Sequence, residues 1–362
     1  MPSDSGLRIG FVGAGAIAWA HGIALSALAR EGLADAVLAV VHDRDRARSA
    51  LFADRLGLET AESPEAVAGR CDAVYVCTST AGHLPSVAAA AGAGRALFCE
   101  KPLGRSLAES AALAALAAEA GIAAQAGLVL RTAPVYRELA RLCRSGELGR
   151  PMVATMRDDQ FFPIQGHYAS TWRKDREEAG SGTLLEHAIH DVDVVRWCFG
   201  EVSCVTGSTA NFAGHEGIED MAAGMLTCES GATVTMASAW HSVLSRPSGR
   251  RVEVFFEHGY VTFDDDFTGP ITVESEAGCS TYRCDPPSYV DELSLPEGRI
   301  GLAVRPYVEE NRRFVDAVLE GAVPEPSLGE ALAAHDVVDA WYRSAASGGS
   351  PVIPAAGSRP SG

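Results

Sequence analysis

The sequence predicts an α/β protein in two units: an N-terminal doubly wound parallel sheet, then an α+β unit built on a large, mostly antiparallel sheet. Three observations carry that expectation. Short apolar runs alternate with Ala- and Leu-rich helical stretches over the first third of the chain, the pattern of a parallel sheet covered by helices. Beyond about residue 148 the chain shifts to successive strands, as in an antiparallel sheet with one covered face. A length of 362 residues also exceeds what one core comfortably holds, so two domains are the default.

Bulk composition narrows the function. Hydrophobic residues make up 47% and charged residues 21%, which is ordinary for a soluble globular chain. A formal net charge of -17 repels a phosphate backbone, so nucleic acid is not an expected partner. The segment Met1 to Gly6 has no basic stretch ahead of an apolar run; no secretory signal is expected, and the expected location is cytoplasmic. The most apolar region, from Leu113 to Leu130, is broken by Glu119 and Gln125, so no membrane span is expected. Nine cysteines without a C-x-x-C pair suit reduced thiols better than a disulfide framework or a zinc site.

Residues 7–12 form an apolar run suited to a buried parallel strand. They lead directly into Gly13-Ala14-Gly15-Ala16-Ile17-Ala18 and a helical stretch to about Arg30. G-x-G-x-x-A between a strand and a helix is the dinucleotide-binding fingerprint in its required setting. Gly13 permits the tight turn, Gly15 lets the backbone approach a pyrophosphate, and small Ala18 lets helix and sheet pack closely. Ala16 and Ile17 open the helix, whose unpaired N–H groups meet phosphate charge. A second strand at 36–41 ends in His42-Asp43-Arg44-Asp45, and Asp43 lies 25 residues past Ala18. That is near the spacing of roughly 20 at which an acid meets the adenosine ribose. An acid there favours NAD, whereas Arg44 beside it offers a partner to the extra phosphate of NADP.

Further strands are expected at 73–77, 96–99 and 123–130, separated by helices at 63–68, 84–91 and 106–120. Ligands of such a sheet bind at the carboxyl ends of its strands. Two of those ends read Thr78-Ser79-Thr80-Ala81-Gly82-His83 and Cys99-Glu100-Lys101-Pro102-Leu103.

Taken with the glycine fingerprint, these segments resemble the Gfo/Idh/MocA oxidoreductases, a family that includes glucose-fructose oxidoreductase and inositol dehydrogenases. The resemblance continues through Gly180-Ser181-Gly182-Thr183-Leu184-Leu185-Glu186-His187-Ala188-Ile189-His190-Asp191-Val192-Asp193. This run is similar to the family's glycine-rich approach to a helix, followed by an acid and, four residues on, a histidine. It reaches further to Glu219-Asp220 and to the late Tyr342-Arg343-Ser344-Ala345. The resemblance implies an NAD(P)-dependent enzyme that moves a hydride between nicotinamide and a secondary alcohol or ketone of a sugar, cyclitol or related polyol. In the family the Glu-Lys-Pro motif closes the nicotinamide pocket and its lysine faces the reacting hydroxyl. That implies cofactor contacts from Thr78, Ser79, His83, Glu100 and Lys101. Three departures concern the substrate more than the fold. Thr78-Ser79-Thr80 stands for the common Thr-Pro-Asn, Glu186 for the usual Asp, and Val129 where an asparagine is often found.

Removing a hydride from a secondary alcohol requires an acceptor, which the cofactor carries, and a group for the hydroxyl proton. Glu186 and His190 are four residues apart and would share one face of a helix. His190 is favoured as the base, with Glu186 or Asp193 to orient its ring, while His187 is the weaker candidate. Lys101 is favoured as the group that holds the substrate oxygen by a charge-assisted hydrogen bond; its acting as proton acceptor stays open. A zinc reading of Glu186, His187 and His190 lacks a further ligand of convincing spacing, so no metal is expected.

The expected domains are a Rossmann unit at 1–130 and a substrate-binding, oligomerising unit at 131–346, followed by a flexible tail at 347–362. A late helix at 328–346 is a candidate to pack back on the first domain. Strands of the second unit are expected at 153–157, 201–210, 221–228, 232–240 and 251–257. A segment rich in hydrogen-bonding and aromatic side chains offers Gln160, His167, Tyr168, Trp172 and Arg173 to a hydroxylated substrate. Arg131, His187 and His190 complete that set. A broad exposed sheet face suits a homodimer or homotetramer. Two other readings of the fold stand beside this one: a non-catalytic NAD(P)-binding sensor or scaffold, and an enzyme whose cofactor stays bound between two substrates.

Overall fold

The structure is a computed structural model that describes residues 6–355 except His167. The substrate contact expected of His167 therefore lies outside the described residues. The chain divides into two compact units. Among the described residues, the first takes the chain as far as Gly104, then 108–129 and 287–331; the second takes 105–107, 130–286 and the residues from Leu332.

In the first unit strands and helices alternate: β1 (Leu7–Val12), α1 (Ala16–Arg30), β2 (Ala36–His42), α2 (Arg46–Leu56), β3 (Glu59–Thr60) and α3 (Pro64–Ala68). They continue as β4 (Ala73–Val76), α4 (His83–Gly92), β5 (Ala96–Glu100), α5 (Leu107–Glu119) and β6 (Ala124–Gly127). The strand order is β3-β2-β1-β4-β5-β6, and every pairing is parallel. With helices on both faces, Ile9, Phe11, Val74, Val76, Leu97 and Cys99 are all buried, which is why these strands read as unbroken apolar runs. Local chemistry starts the helices. Asp45 caps α2 by accepting from the N–H groups of Ala47 and Arg48, and Ser63 caps α3 by accepting from Ala66. The sixth strand stops earlier than the expected 123–130. The Leu128 N–H turns back to the Ala126 carbonyl, and Val129–Arg131 forms a 3₁₀ turn.

The second unit holds α6 (Pro134–Ser145), β7 (Pro151–Phe161), α7 (Arg176–Ala179), α8 (Thr183–Glu186), α9 (Ile189–Phe199) and β8 (Val202–Ala210). Then come β9 (Met221–Cys228), β10 (Thr233–His241), β11 (Gly249–Phe256), β12 (Gly259–Phe263), β13 (Ile271–Ser275) and β14 (Gly278–Tyr282). Its eight strands run in the order β14-β13-β12-β11-β7-β10-β9-β8, with only β7 and β10 parallel. Along them burial alternates. Ala154, Met156, Val234, Met236, Val252 and Val254 join one core with Tyr136 and Leu139 of α6 and Val192 and Val195 of α9. Thr155, Arg157, Thr235 and Arg251 face the other way and are exposed.

After β14 the chain forms α10 (Ser288–Glu292) and the 22-residue α11 (Arg299–Glu320), both part of the first unit. The second domain expected unbroken over 131–346 is thus corrected: 287–331 belongs with the first unit, because α11 packs along α1. The last helix, α12 (Leu328–Ala346), begins in the first core with Leu328 and Ala331, and from Ala334 to Trp341 it belongs to the second. The tail expected to be loose from 347 is tied down through Ala355. Val352 exchanges both backbone hydrogen bonds with Val205, and the Ala355 N–H donates to Asp336. Among the described residues no helix is long and apolar enough to cross a membrane.

Candidate active site

Within the first unit, the candidate cofactor residues sit at the carboxyl ends of β1, β2, β4 and β5. Gly13 has φ +100, and a Cβ there would stand 2.5 Å from the Cys77 carbonyl, so the turn demands glycine. Above Gly15, by contrast, no atom of the described residues beyond its chain neighbours lies within 4 Å of where a Cβ would be. Among the described residues no side chain caps the start of α1 at Gly15, and Ala16 is exposed, so the first N–H groups of the helix, from Ala16 and Ile17 on, are open to a ligand. That is a cradle of the right chemistry for a pyrophosphate. Asp43 steadies it: one carboxylate oxygen accepts from the Ala14 N–H at 2.7 Å, the other from the Asp45 N–H at 2.8 Å. Arg44 reaches Ser79 Oγ at 3.4 Å, and the Thr78 hydroxyl donates to the Ser79 carbonyl.

Two residues expected to contact the cofactor, His83 and Glu100, are buried. His83 opens α4 but is buried, with Nδ1 3.2 Å from the Leu103 carbonyl; it supports the loop that follows Lys101. The Glu100 carboxylate is also buried, 2.8 Å from His21 Nε2 and 3.1 Å from the Lys101 N–H, which donates to it. Lys101 itself is half-buried, at the cis Lys101–Pro102 bond. His21, on α1, and Asn311, on α11, drew no attention as site residues in sequence. The G-x-G-x-x-A signal ends before the first, and nothing local marks the second.

Within the second unit, the candidate residues lie around α8 and α9. The continuous helix expected to align Glu186 with His190 does not exist. Helix α8 stops at Glu186, His187 takes φ −124 and ψ −59, and α9 starts at Ile189. Glu186 instead holds Arg173, whose Nε lies 3.2 Å away and whose guanidinium stacks 4.2 Å above the Trp172 ring. Asp193 takes both arms of Arg131, at 2.8 and 2.7 Å, so Arg131, expected at the substrate, braces α9. His190 is in the first turn of α9 and 8% exposed. The backbone upstream is fixed by Glu219, which accepts from the N–H groups of Gly182 and Leu184 and from the Tyr342 hydroxyl. Burial pushes the Glu219 carboxyl up, and these three donors pull it back.

Beneath α9 lies a buried charge cluster that sequence reasoning missed. Arg250 donates to Asp191 at 2.9 Å and Asp266 at 2.8 Å and lies 3.5 Å from Asp158. His187 Nε2 is 3.0 Å from Asp158. Burial pushes the Asp191 carboxyl up to about 7, with the Arg250 charge acting against it. Gln160 is buried on the same strand as Asp158, and Tyr168 packs its ring 5.5 Å from that of Phe161. Among the described residues no group of three His, Cys, Asp or Glu side chains could hold a metal ion.

Comparison with known proteins bears on both units. Residues 7–128 match the profile of an oxidoreductase family with an NAD-binding Rossmann fold, and residues 136–262 match the GFO/IDH/MocA C-terminal domain. The chain is 27% identical over 349 residues to an inositol 2-dehydrogenase of Rhizobium meliloti (strain 1021), covering 94% of this chain and 97% of that protein. It is 30% identical over 222 residues to a 1,5-anhydro-D-fructose reductase of Ensifer adhaerens, covering 58% of this chain and 65% of that one. The fold is also that of a levoglucosan dehydrogenase solved in complex with NADH, at TM-score 0.86 and 22% identity over 97% of this chain and all (100%) of that one.

Proposed function

The chain belongs to the Gfo/Idh/MocA family of NAD-binding oxidoreductases, and from that premise we propose that it oxidises or reduces a CH–OH group of a sugar, cyclitol or related polyol. The observation that carries this reading is the open, uncapped start of α1 above Gly15, set in the same sheet as a lysine directly after β5. Gly13, Gly15, Ala16, Ile17, Asp43, Arg44, Thr78, Ser79 and Lys101 are the groups proposed to hold the dinucleotide. When bound, NAD supplies the hydride acceptor. Lys101 donates a charge-assisted hydrogen bond to the substrate oxygen and favours its alkoxide character. His190 takes the hydroxyl proton, with Asp193 and Arg131 fixing the first turns of its helix. Arg173, Trp172, Tyr168, Gln160 and His187 are the proposed contacts to the remaining hydroxyls. The inositol, anhydrosugar and levoglucosan enzymes that it resembles all act on polyhydroxylated rings by their names, which supports that substrate class.

The test is a panel of inositols, sugars and anhydrosugars incubated with NAD or NADP, following absorbance of the reduced nicotinamide. Turnover on a polyol supports the proposal. Cofactor binding without turnover across the panel would replace it with a sensor or scaffold. Asp43 sets an expectation for cofactor choice. A like-charge contact near a protein surface is worth about 1–4 kcal/mol, so Asp43→Ser should lower the preference for NAD over NADP by about tenfold or more. Unchanged discrimination in paired kinetics would make Asp43 a brace of the glycine turn and nothing else.

A homodimer or homotetramer in the cytoplasm belongs to the same proposal. The outer face of the eight-stranded sheet exposes Val153, Met225 and Phe255, apolar side chains suited to a second copy. Sedimentation showing a monomer at micromolar concentration would remove that part.

A further inference from the structure

We propose that His21 and Asn311 are positioning residues for the reaction: a buried imidazolium, oriented by Asn311, grips Glu100 and thereby sets the place of Lys101. The inference rests on the catalytic reading of Lys101 given above. It starts from three side chains that are all buried, His21 on α1, Glu100 at the end of β5 and Asn311 on α11. His21 Nε2 lies 2.8 Å from Glu100 Oε1, and Nδ1 lies 3.1 Å from Asn311 Oδ1. The amide of Asn311 cannot be reversed without loss, because its Nδ2 donates to the Tyr307 carbonyl at 2.7 Å. Each ring nitrogen therefore faces an oxygen acceptor. With Glu100 as the carboxylate, a ring that donates from both nitrogens satisfies both acceptors, and that ring is the cation.

The opposite charge is at hand in Glu100, and a buried charge persists where it is paired and hydrogen-bonded. The other oxygen of Glu100 accepts from the Lys101 N–H at 3.1 Å. One carboxylate thus joins the imidazolium to the peptide that bears the proposed catalytic ammonium. Its freedom is small. A Cβ at Gly127 on β6 would stand 2.8 Å from Glu100 Oε1, so only glycine there leaves the carboxylate its seat. The rings of Phe98, Tyr307 and Tyr75 pack round His21 with centroids 4.8, 5.2 and 5.4 Å away and hold its plane.

The other titratable groups facing this cluster do not compete for the charge. Burial keeps Glu310 on α11, Tyr75 on β4 and Cys77 just after it in their neutral, protonated forms, and the nearby carboxylates add to that. Among the described residues neither oxygen of Glu310 has a hydrogen-bond partner, as suits an acid that is not ionised. The cluster then holds one cation and one anion. Helix α11 contributes to it from some 200 residues beyond the Glu-Lys-Pro motif, which gives the return of that segment to the first unit a purpose beyond packing.

The test uses the full-length protein. In ¹⁵N-histidine NMR at neutral pH, a resonance lost in His21→Gln should report protons on both ring nitrogens; a neutral tautomer there would overturn the charge assignment. His21→Gln should lower kcat about 10–100-fold with KM and NAD affinity within about threefold, the mark of a displaced reacting group rather than lost binding. His21→Gln combined with Glu100→Gln should recover much of that loss, since paired amides can hold the loop without a lone buried charge. A purely structural role would make the two losses add. Should His21→Gln fail to fold, Asn311→Leu leaves His21 and Glu100 in place, removes the Nδ1 acceptor along with the donor to the Tyr307 carbonyl, and should convert the ring to a neutral tautomer with about a fivefold fall in kcat. Full kcat in either folded variant, beside an inactive Lys101→Ala, would end the positioning role alone; an active Lys101→Ala would end the catalytic reading on which it rests.

Discussion

Lys101→Ala should lose about 100-fold or more in turnover while its affinity for NAD stays within a few-fold, since a positioned charge or proton-transfer group typically contributes about 10²–10⁴. The separation of effects is the informative part. The pyrophosphate cradle at Gly13 and Gly15 is built from backbone of a different loop, and Asp43 braces it through the Ala14 N–H. Lys101 follows a different strand, and its backbone is anchored to Glu100, so truncating its side chain should leave the cradle intact. The pH dependence of kcat/KM discriminates between the two candidate bases. If His190 takes the proton, the residual activity of Lys101→Ala keeps its acidic limb, and His190→Ala loses it. If the limb disappears with Lys101, the roles are exchanged. Full activity without Lys101, measured on a substrate from the polyol panel, would remove the lysine from the mechanism.

Arg250→Met should be the most damaging single change to the second unit, costing about 3–5 kcal/mol of stability in denaturant unfolding followed through that unit. Arg250 is buried, with its guanidinium among Asp158, Asp191 and Asp266. Methionine matches much of the volume, so the loss is electrostatic: two fully buried carboxylates and a third half-buried one would remain without the arginine, with His187 beside Asp158. The present cluster already carries more acid than base, which is consistent with burial raising Asp191 to about 7. The sign of the pH dependence follows. An aspartate that loses its proton near pH 4 when unfolded and near 7 when folded binds more protons in the folded state between those limits. Stability contributed by this group therefore falls as pH rises from about 4 to 7. Asp191→Asn in the Arg250→Met background should restore part of the loss by removing one uncompensated charge. A change below about 0.5 kcal/mol in Arg250→Met would mean that the cluster is neutralised in another way.

Much of the first unit was legible because its signals are local. Gly13 is needed by the turn in which it sits, and Asp45 and Ser63 cap helices that begin at the next residue. The strands β1, β4 and β5 announce themselves as apolar runs because both of their faces are covered. Helix α11 was not legible for an equally physical reason. Pro306 lies inside it, and a proline removes a donor and ordinarily marks a boundary. Glu186 and His190 misled in the other direction. Their spacing is that of one helical face, yet the backbone at His187 leaves the helix, so periodicity placed together what the chain separates.

The sequence by itself determined the parallel dinucleotide-type sheet, the glycine cradle, the acid after β2 and the lysine after β5, since each depends on residues within a few positions of one another. Only the tertiary structure decided what those groups lean on. Glu100 rests on His21, His21 on an asparagine 290 residues away, and Asp191 on an arginine 59 residues away. Such partners share no period and no motif; they are chosen by which buried charge needs an opposite one, and that need arises only once folding has removed the water.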